Sequence, residues 1–189
     1  FCYLIIPAKL EFPNAQFLLG SLLYEDNSIE NNKQKALEYF KKSADQGLED
    51  SMYMYAKMLY HGEEVDVNKK EAAKYYRVAA NKGNVNSMIS YGEMLYNGDG
   101  IEVNKKEAAY YFKMAAEKGN VQCMCKYGKM VIFEDTNLGD VKEAANYIKK
   151  AADENDFFSA LIYGNVLISG KEIEVDKETI NYHETNRNE

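Results

Sequence analysis

Few residues in this chain have the types and spacing that chemistry requires. The cysteines are Cys2, Cys123 and Cys125, an odd and sparse set that makes no disulfide framework. Cys123 and Cys125 stand two apart in a segment of helical periodicity, so their side chains diverge by about 200° and cannot chelate one ion. They read as small apolar packing residues. His183-Glu184 lacks the second histidine of a zinc-protease helix. His61 stands alone in a polar connector, where a surface role fits better than a ligand role. Gly98-Asp99-Gly100 follows a helical segment rather than a strand, so it reads as turn chemistry and not as a phosphate loop. No Ser-x-x-Lys occurs, and no nucleophile–base pair is visible. The chain is expected to catalyse nothing, with no cofactor and no metal; a stand-alone hydrolase is the weakest of three readings.

The elements that carry these residues follow a fixed period. Gly20, Ala56, Gly92, Gly128 and Gly164 are spaced 36 apart. Asn32, Asn68, Asn104, Asp140 and Asp176 keep the same step, as do Gly47, Gly83, Gly119 and Asn155. No insertion breaks the register from Ala15 to Asp176. A constant step of this size marks a stacked-repeat protein. Such arrays bind other proteins along extended surfaces more often than they do chemistry.

Composition narrows the choice further. The chain has 189 residues, 46% of them hydrophobic, enough for a core. Its two prolines, Pro7 and Pro13, precede an unbroken run suited to helices. The net charge of −7 argues against a nucleic-acid partner, which needs a basic face. Lysine pairs such as Lys69-Lys70 and Lys105-Lys106 adjoin Glu71 and Glu107 and read as solvated helix faces. No apolar run approaches the ~18 residues of a membrane span. The apolar start, Phe1 to Ile6, is too short for a secretion signal and has no basic flank. The first residue is not methionine, so the chain reads as a fragment. The cytoplasm is the expected compartment, with the endoplasmic reticulum as the alternative if an N-terminal signal is missing.

One unit illustrates the local logic. Residues 51–60, SMYMYAKMLY, place Tyr55, Met58 and Leu59 on one helical face. After a polar connector, Asn68 is the N-cap of a second helix and Glu71 the partner of a capping box. Asn104 with Glu107 and Asp140 with Glu143 repeat the pattern; Asn32 and Asp176 keep the cap without the glutamate. Gly83 stops the second helix in the left-handed conformation. Glycine inside the first helices costs roughly 1 kcal/mol against alanine, so Gly20, Gly92, Gly128 and Gly164 need a reason. The expected reason is close approach of a neighbouring helix backbone. Ala36, Ala72, Ala108 and Ala144, with Ala44, Ala80, Ala116 and Ala152, supply matching small residues. Tyr39, Tyr75, Tyr111 and Tyr147 supply the large ones between them.

The third unit carries Ser87, Tyr91-Gly92, Gly98-Asp99-Gly100-Ile101, Asn104, Ala108, Tyr111, Ala115-Ala116 and Gly119. This pattern resembles the Sel1-like repeat, a relative of the tetratricopeptide repeat. The connectors of the first unit (Asp26, Ser28) and fourth unit (Glu134, Thr136) lose its glycines; the second and fifth keep Gly62 and Gly170. The resemblance implies an all-α fold, an α/α superhelical solenoid of antiparallel helix pairs. Residues 1–13 are expected to be a partial or degenerate repeat, 14–176 about four and a half repeats, and 177–189 a degenerate helix or polar tail. Some bacterial relatives with a penicillin-interacting activity carry a cysteine pair in every repeat, which this chain lacks.

By the same resemblance the first helices line a concave protein-binding face. One row there is Phe17, Tyr53, Ile89, Cys125 and Leu161; a second is Tyr24, Tyr60, Tyr96, Ile132 and Ile168. Between them lie Ser21, Lys57, Glu93, Lys129 and Asn165. The expected function is a protein-interaction scaffold or adaptor that binds a protein or peptide. The alternative is a regulatory or targeting arm of a larger protein, such as a kinase or an endoplasmic-reticulum ubiquitin-ligase component. The oligomeric state is not legible in these residues.

Overall fold

The computed structural model describes residues 5, 6, 8, 11–26, 32–154 and 156–168. The expectations for Cys2, Ser28, Asn155, Gly170, Asp176, His183 and the segment 177–189, and most of those for residues 1–13, lie outside the described residues. The helices are α1 (Pro13–Glu25), α2 (Asn32–Asp45), α3 (Glu49–His61), α4 (Lys69–Asn81), α5 (Val85–Asn97), α6 (Lys105–Glu117), α7 (Val121–Lys129), α8 (Val141–Asp153) and α9 (Phe157–Ile168). Among the described residues there is no strand. The chain divides into two compact units, Phe1–Lys118 and Gly119–Glu189. The first holds α1–α6 and the second α7–α9. Within each unit every helix packs on the one before and the one after it. This is the all-α, paired-helix architecture that the period predicts.

The start signals act with one refinement. Asn68 accepts from the Glu71 backbone N–H at 3.0 Å, and Asn104 from that of Glu107 at 3.0 Å. Asp140 accepts from the Glu143 N–H at 2.7 Å. The glutamate of the capping box does not take the cap's backbone N–H. That N–H donates across the connector instead, Asn68 to the Leu59 carbonyl and Asn104 to that of Leu95, both at 2.9 Å. Glu71 accepts from the Asn68 side-chain amide at 3.1 Å. Asn68 and Asn104 therefore tie a second helix to its own first helix as well as closing its first turn. Asn32 departs from the expected cap: it is the first residue of α2, and its amide donates to the carbonyl and carboxylate of Asp26, each at 3.2 Å.

A second set of caps escaped the sequence reading. Asn84 accepts from the Ser87 N–H at 2.8 Å, Asn120 from that of Cys123 at 2.9 Å, and Asp156 from that of Ser159 at 2.8 Å. These residues open first helices at the same step of 36. The signal was present but stood directly behind the more conspicuous glycine stop.

First helices end where glycine permits it. Gly62 and Gly98 close α3 and α5 at φ 74° and 73°, in the left-handed region. Glu134 stands at that position in the fourth repeat. There α7 runs on into a π-helical turn, Met130–Glu134, closed by the Asp135 N–H on the Met130 carbonyl at 2.9 Å. A side-chain-bearing residue disfavours the left-handed stop, and the chain widens its helix instead. Ile132, expected to line the concave face, is buried in this turn.

At Gly20 and Gly92 the reason for the glycine is a side chain rather than a neighbouring backbone; at Gly128 it is both. A Cβ at Gly20 would lie 3.0 Å from the Phe40 ring, and one at Gly92 2.9 Å from the Phe112 ring. At Gly128 it would lie 2.3 Å from Ile148, with the Ala144 carbonyl also at 3.0 Å. Phe40, Tyr76, Phe112 and Ile148 form their own 36-residue row and are all buried. In the first, third and fourth repeats the second helix thus drives a large side chain onto the glycine of its first helix. Gly164 is the exception: nothing lies within 4 Å of its Cβ position. The tyrosine row packs elsewhere, with Tyr75 edge-on to Tyr55 at 4.9 Å and Tyr111 edge-on to Tyr91 at 5.0 Å. The Tyr111 hydroxyl also donates to Asn81 of the preceding repeat at 2.9 Å.

Two predictions follow from these contacts. Gly92→Leu is expected to cost ~1–3 kcal/mol or more through overpacking against Phe112. Gly98→Ala is no neutral surface change: it forces alanine into the left-handed region with its Cβ 2.6 Å from Val103. Its cost is about 1–2 kcal/mol, and urea titration should still rank Gly92→Leu as the more damaging. Asn68→Ala and Asn104→Ala should each cost about 1 kcal/mol; unchanged urea midpoints in both would remove the capping argument.

Candidate functional site

In the first unit, α3 and α5 open a cleft of about 240 Å³ on their shared flank. Tyr53, Lys57, Tyr60 and His61 line it from α3. Ser90, Glu93, Met94 and Asn97 line it from α5, Tyr76 from α4 and Asp99 from the connector after α5. Helical spacing explains the α3 set: residues at positions 53, 57 and 60 recur three and four apart and share one face. The fold brings four expected binding residues together here, Tyr53, Lys57, Tyr60 and Glu93. A wider, shallower depression of about 760 Å³ lies over the connector, along Tyr91, Leu95, Ile101 and Val103. It contains none of the expected binding residues.

The remaining expected residues fall as follows. Phe17 is half-buried, its ring tilted against Phe40 at 6.0 Å. Ile89 is half-buried on α5 and does not line the cleft. Tyr96 is half-buried, with the Lys105 ammonium 5.1 Å from its ring centroid. Cys125 is half-buried and Leu161 exposed, both in the second unit. Tyr76 was missed by the sequence reading because Tyr75 beside it drew the attention. The signal was the row it shares with Phe40 and Phe112. Tyr76 lies 5.9 Å from Tyr53, centroid to centroid, and burial pushes its phenol well above the usual tyrosine range. It stays neutral and presents ring and hydroxyl to the cleft floor.

The cleft's rim is held by a charged latch. The Lys69 ammonium pairs with the Asp99 carboxylate at 2.6 Å and lies 5.0 Å from the Tyr60 ring centroid. The Tyr60 hydroxyl donates to the other oxygen of Asp99. The Lys69 hydrogen bond first, and that of Tyr60 second, hold the Asp99 carboxyl below the ordinary carboxylate range. Gly100 allows the approach, since a Cβ there would lie 2.4 Å from that of Lys69. One repeat earlier the same three positions are Tyr24, Lys33 and Glu63. Lys33 pairs with Glu63 at 3.8 Å and lies 5.5 Å from the Tyr24 ring. The tyrosines expected on the binding face thus also lie against the chain's own lysines.

Asp99 ties pH to stability. Its folded pKa is depressed, so its contribution is present above the ordinary carboxylate value and is lost as pH falls through the folded one. Asp99→Asn is expected to lower the urea midpoint at neutral pH. The difference from the wild type should shrink as pH is lowered through that folded value. A difference independent of pH would show that the charge plays no part.

Comparison with known proteins fits this geometry. A family model described as Sel1 repeat matches residues 13–48, 49–84, 85–120 and 122–156. No curated protein matches the chain. A solved Sel1 repeat protein from Oxalobacter formigenes superposes with a TM-score of 0.81 at 24% identity, over 96% of this chain and 74% of that one. A protective antigen of uropathogenic Escherichia coli, displaying an SLR fold, superposes with a TM-score of 0.75 at 27% identity. The match covers 83% of this chain and 34% of the antigen, so the chain spans about a third of that protein's length. Cysteine rich protein B of Helicobacter pylori gives a TM-score of 0.52 at 21% identity, over 64% of this chain and 86% of that one. The chain belongs to the Sel1 repeat family.

Proposed function

We propose that this Sel1 repeat protein is a protein-interaction scaffold and that its first unit grips a peptide or helix in the cleft between α3 and α5. One observation carries the reading: four residues that the resemblance places on the binding face, Tyr53, Lys57, Tyr60 and Glu93, line one cleft. Its lining suits a peptide, which needs aromatic faces for area and scattered polar groups for register. Tyrosine supplies contact area and a hydroxyl at a low entropic cost. Lys57 and Glu93, half-buried at the wall, tune selectivity and association rate more than affinity. Phe17 and Ile89 extend the apolar row on either side of Tyr53; Cys125 and Leu161 hold its register in the second unit. Among the described residues no helix is long and apolar enough to cross a membrane. No group of three or more histidine, cysteine, aspartate or glutamate side chains there could hold a metal ion. A regulatory arm of a larger protein uses the same surface, so the scaffold reading contains the alternative.

The test needs a partner recovered by affinity purification with the full chain. Tyr53→Ala with Ile89→Ala is expected to weaken that partner by roughly 2 kcal/mol or more while the helical circular dichroism persists. Lys74→Ala with Lys106→Ala, both on exposed surfaces of second helices, should change little. Lys113, at first sight an equivalent control, is half-buried and unsuitable. If the lysine pair abolishes binding and the Tyr53–Ile89 pair does not, the first-helix face that holds the cleft is not the docking surface.

A further inference from the structure

Charge in the first unit is sorted by helix. Every described lysine or arginine there that is exposed lies on α2, α4 or α6, or is the residue that closes α4 or α6. The exposed acids of α1, α3 and the connectors, Glu25, Asp50, Glu64, Asp66 and Glu102, are matched by no exposed lysine or arginine on those elements. A net charge of −7 thus conceals a basic face. The second helices that carry it lie side by side. The Tyr75 hydroxyl of α4 donates to Asp45 of α2 at 3.4 Å, and the Tyr111 hydroxyl of α6 to Asn81 of α4 at 2.9 Å.

Some of these cations have structural work. Lys41 pairs with Asp45 at 3.8 Å. Lys82 and Lys118 reach the glycines just beyond α2 and α4, coming within 3.4 Å and 3.6 Å of the Cβ positions of Gly47 and Gly83. A cation there offsets the helix dipole. Arg77 is hydrogen-bonded to Tyr91. Lys70 and Lys74 on α4 and Lys106 on α6 have no partner among the described residues. Lys70, Lys74, Arg77 and Val78 recur at helical spacing on one face of α4. One repeat on, the same face of α6 carries Lys106 and Tyr110. Val78 is 42% exposed and Tyr110 58%, so each stripe sets an apolar group among cations. No acid on α4 is exposed, and on α6 only its last residue, Glu117, is.

We propose that the outer face of α4 and α6 docks on an anionic lipid bilayer. Its cations are complementary in charge to acidic headgroups, each lysine adding to the attraction while it stays hydrated. Val78 and Tyr110 between them suit the boundary of headgroup and acyl chain, where a tyrosine keeps its hydroxyl wet. Lysine is a compact, strongly hydrated point charge, whereas recognition of a phosphopeptide or a nucleic acid uses the planar fork of arginine. Arg77 is the only arginine among the described residues, and Tyr91 already occupies it. The acids of α1 and α3 do not cancel this face. Salt screens charges beyond ~8 Å, less than the ~10 Å width of a helix. The surface uses no residue of the α3–α5 cleft and stands or falls apart from it.

The test is co-sedimentation of the full chain with phosphatidylcholine vesicles made with and without phosphatidylserine. Binding is expected only to the phosphatidylserine vesicles, and it should weaken as salt is raised. Lys70→Gln with Lys74→Gln and Lys106→Gln should lower the partition coefficient about a hundred-fold, or about five-fold for each charge removed. The same three positions changed to arginine keep the charge and should keep the binding. All three side chains are exposed, and circular dichroism checks that each variant stays helical. No binding to the phosphatidylserine vesicles overturns the proposal, as does equal binding by the glutamine variant or its loss in the arginine variant. If polyglutamate or an oligonucleotide binds through these lysines while the vesicles do not, the face belongs to an acidic protein or a nucleic acid, and the proposal falls.

Discussion

The contact on which the rest of this fold depends is a large side chain seated over a residue that has almost none. Phe40, Phe112 and Ile148 rest on Gly20, Gly92 and Gly128, at distances a methyl group would violate or strain. Glycine weakens a helix by roughly 1 kcal/mol, but the ring it admits is wholly buried and removes far more apolar area from water. The pairing also fixes direction. A ring projecting from the second helix reaches only one point of the first, so the two helices cannot slide. Alanine at 36, 72, 108 and 144 then brings the backbones together beside that point.

Much of this was legible in the residues, because start and stop chemistry is local. An asparagine followed three residues later by glutamate needs no tertiary knowledge to be read as a helix start, and Asn68, Asn104 and Asp140 behave so. What could not be read was which side chain answers each glycine. Tyr75 and Phe112 both have the right size and the right period; only the rotation of the helix decides that position 112 faces Gly92 while Tyr75 and Tyr111 face Tyr55 and Tyr91. Asn32 shows the opposite failure. Its type says cap, but it is the first residue of α2, and its amide donates to the carbonyl and carboxylate of Asp26. In the fourth repeat the loss of a left-handed glycine was visible, and its consequence, a π-helical turn, was not.

The candidate site followed the same division. Tyr53, Lys57, Tyr60 and Glu93, expected on one face, line one cleft, whereas Ile89 and Tyr96, one repeat on from Tyr53 and Tyr60, do not. The register missed Asp99, whose place in a turn concealed its pairing with Lys69 and Tyr60 from neighbouring elements. Tyr24, Tyr60 and Tyr96 each lie beside one of the chain's own lysines, and Tyr60 also lines the cleft.

The central claim is that ring-on-glycine contact, rather than general hydrophobicity, specifies how the two helices of a repeat meet. A double-mutant cycle between Gly92→Ala and Phe112→Leu, read by urea unfolding of the full chain, tests it directly. If the account is right, the alanine is costly beside phenylalanine and much less so beside leucine, which can move aside. The coupling energy should then be about 1 kcal/mol or more, in the sense of rescue. Additive costs, with a coupling near zero, would mean that the ring and the glycine are neighbours without being partners, and would contradict the account.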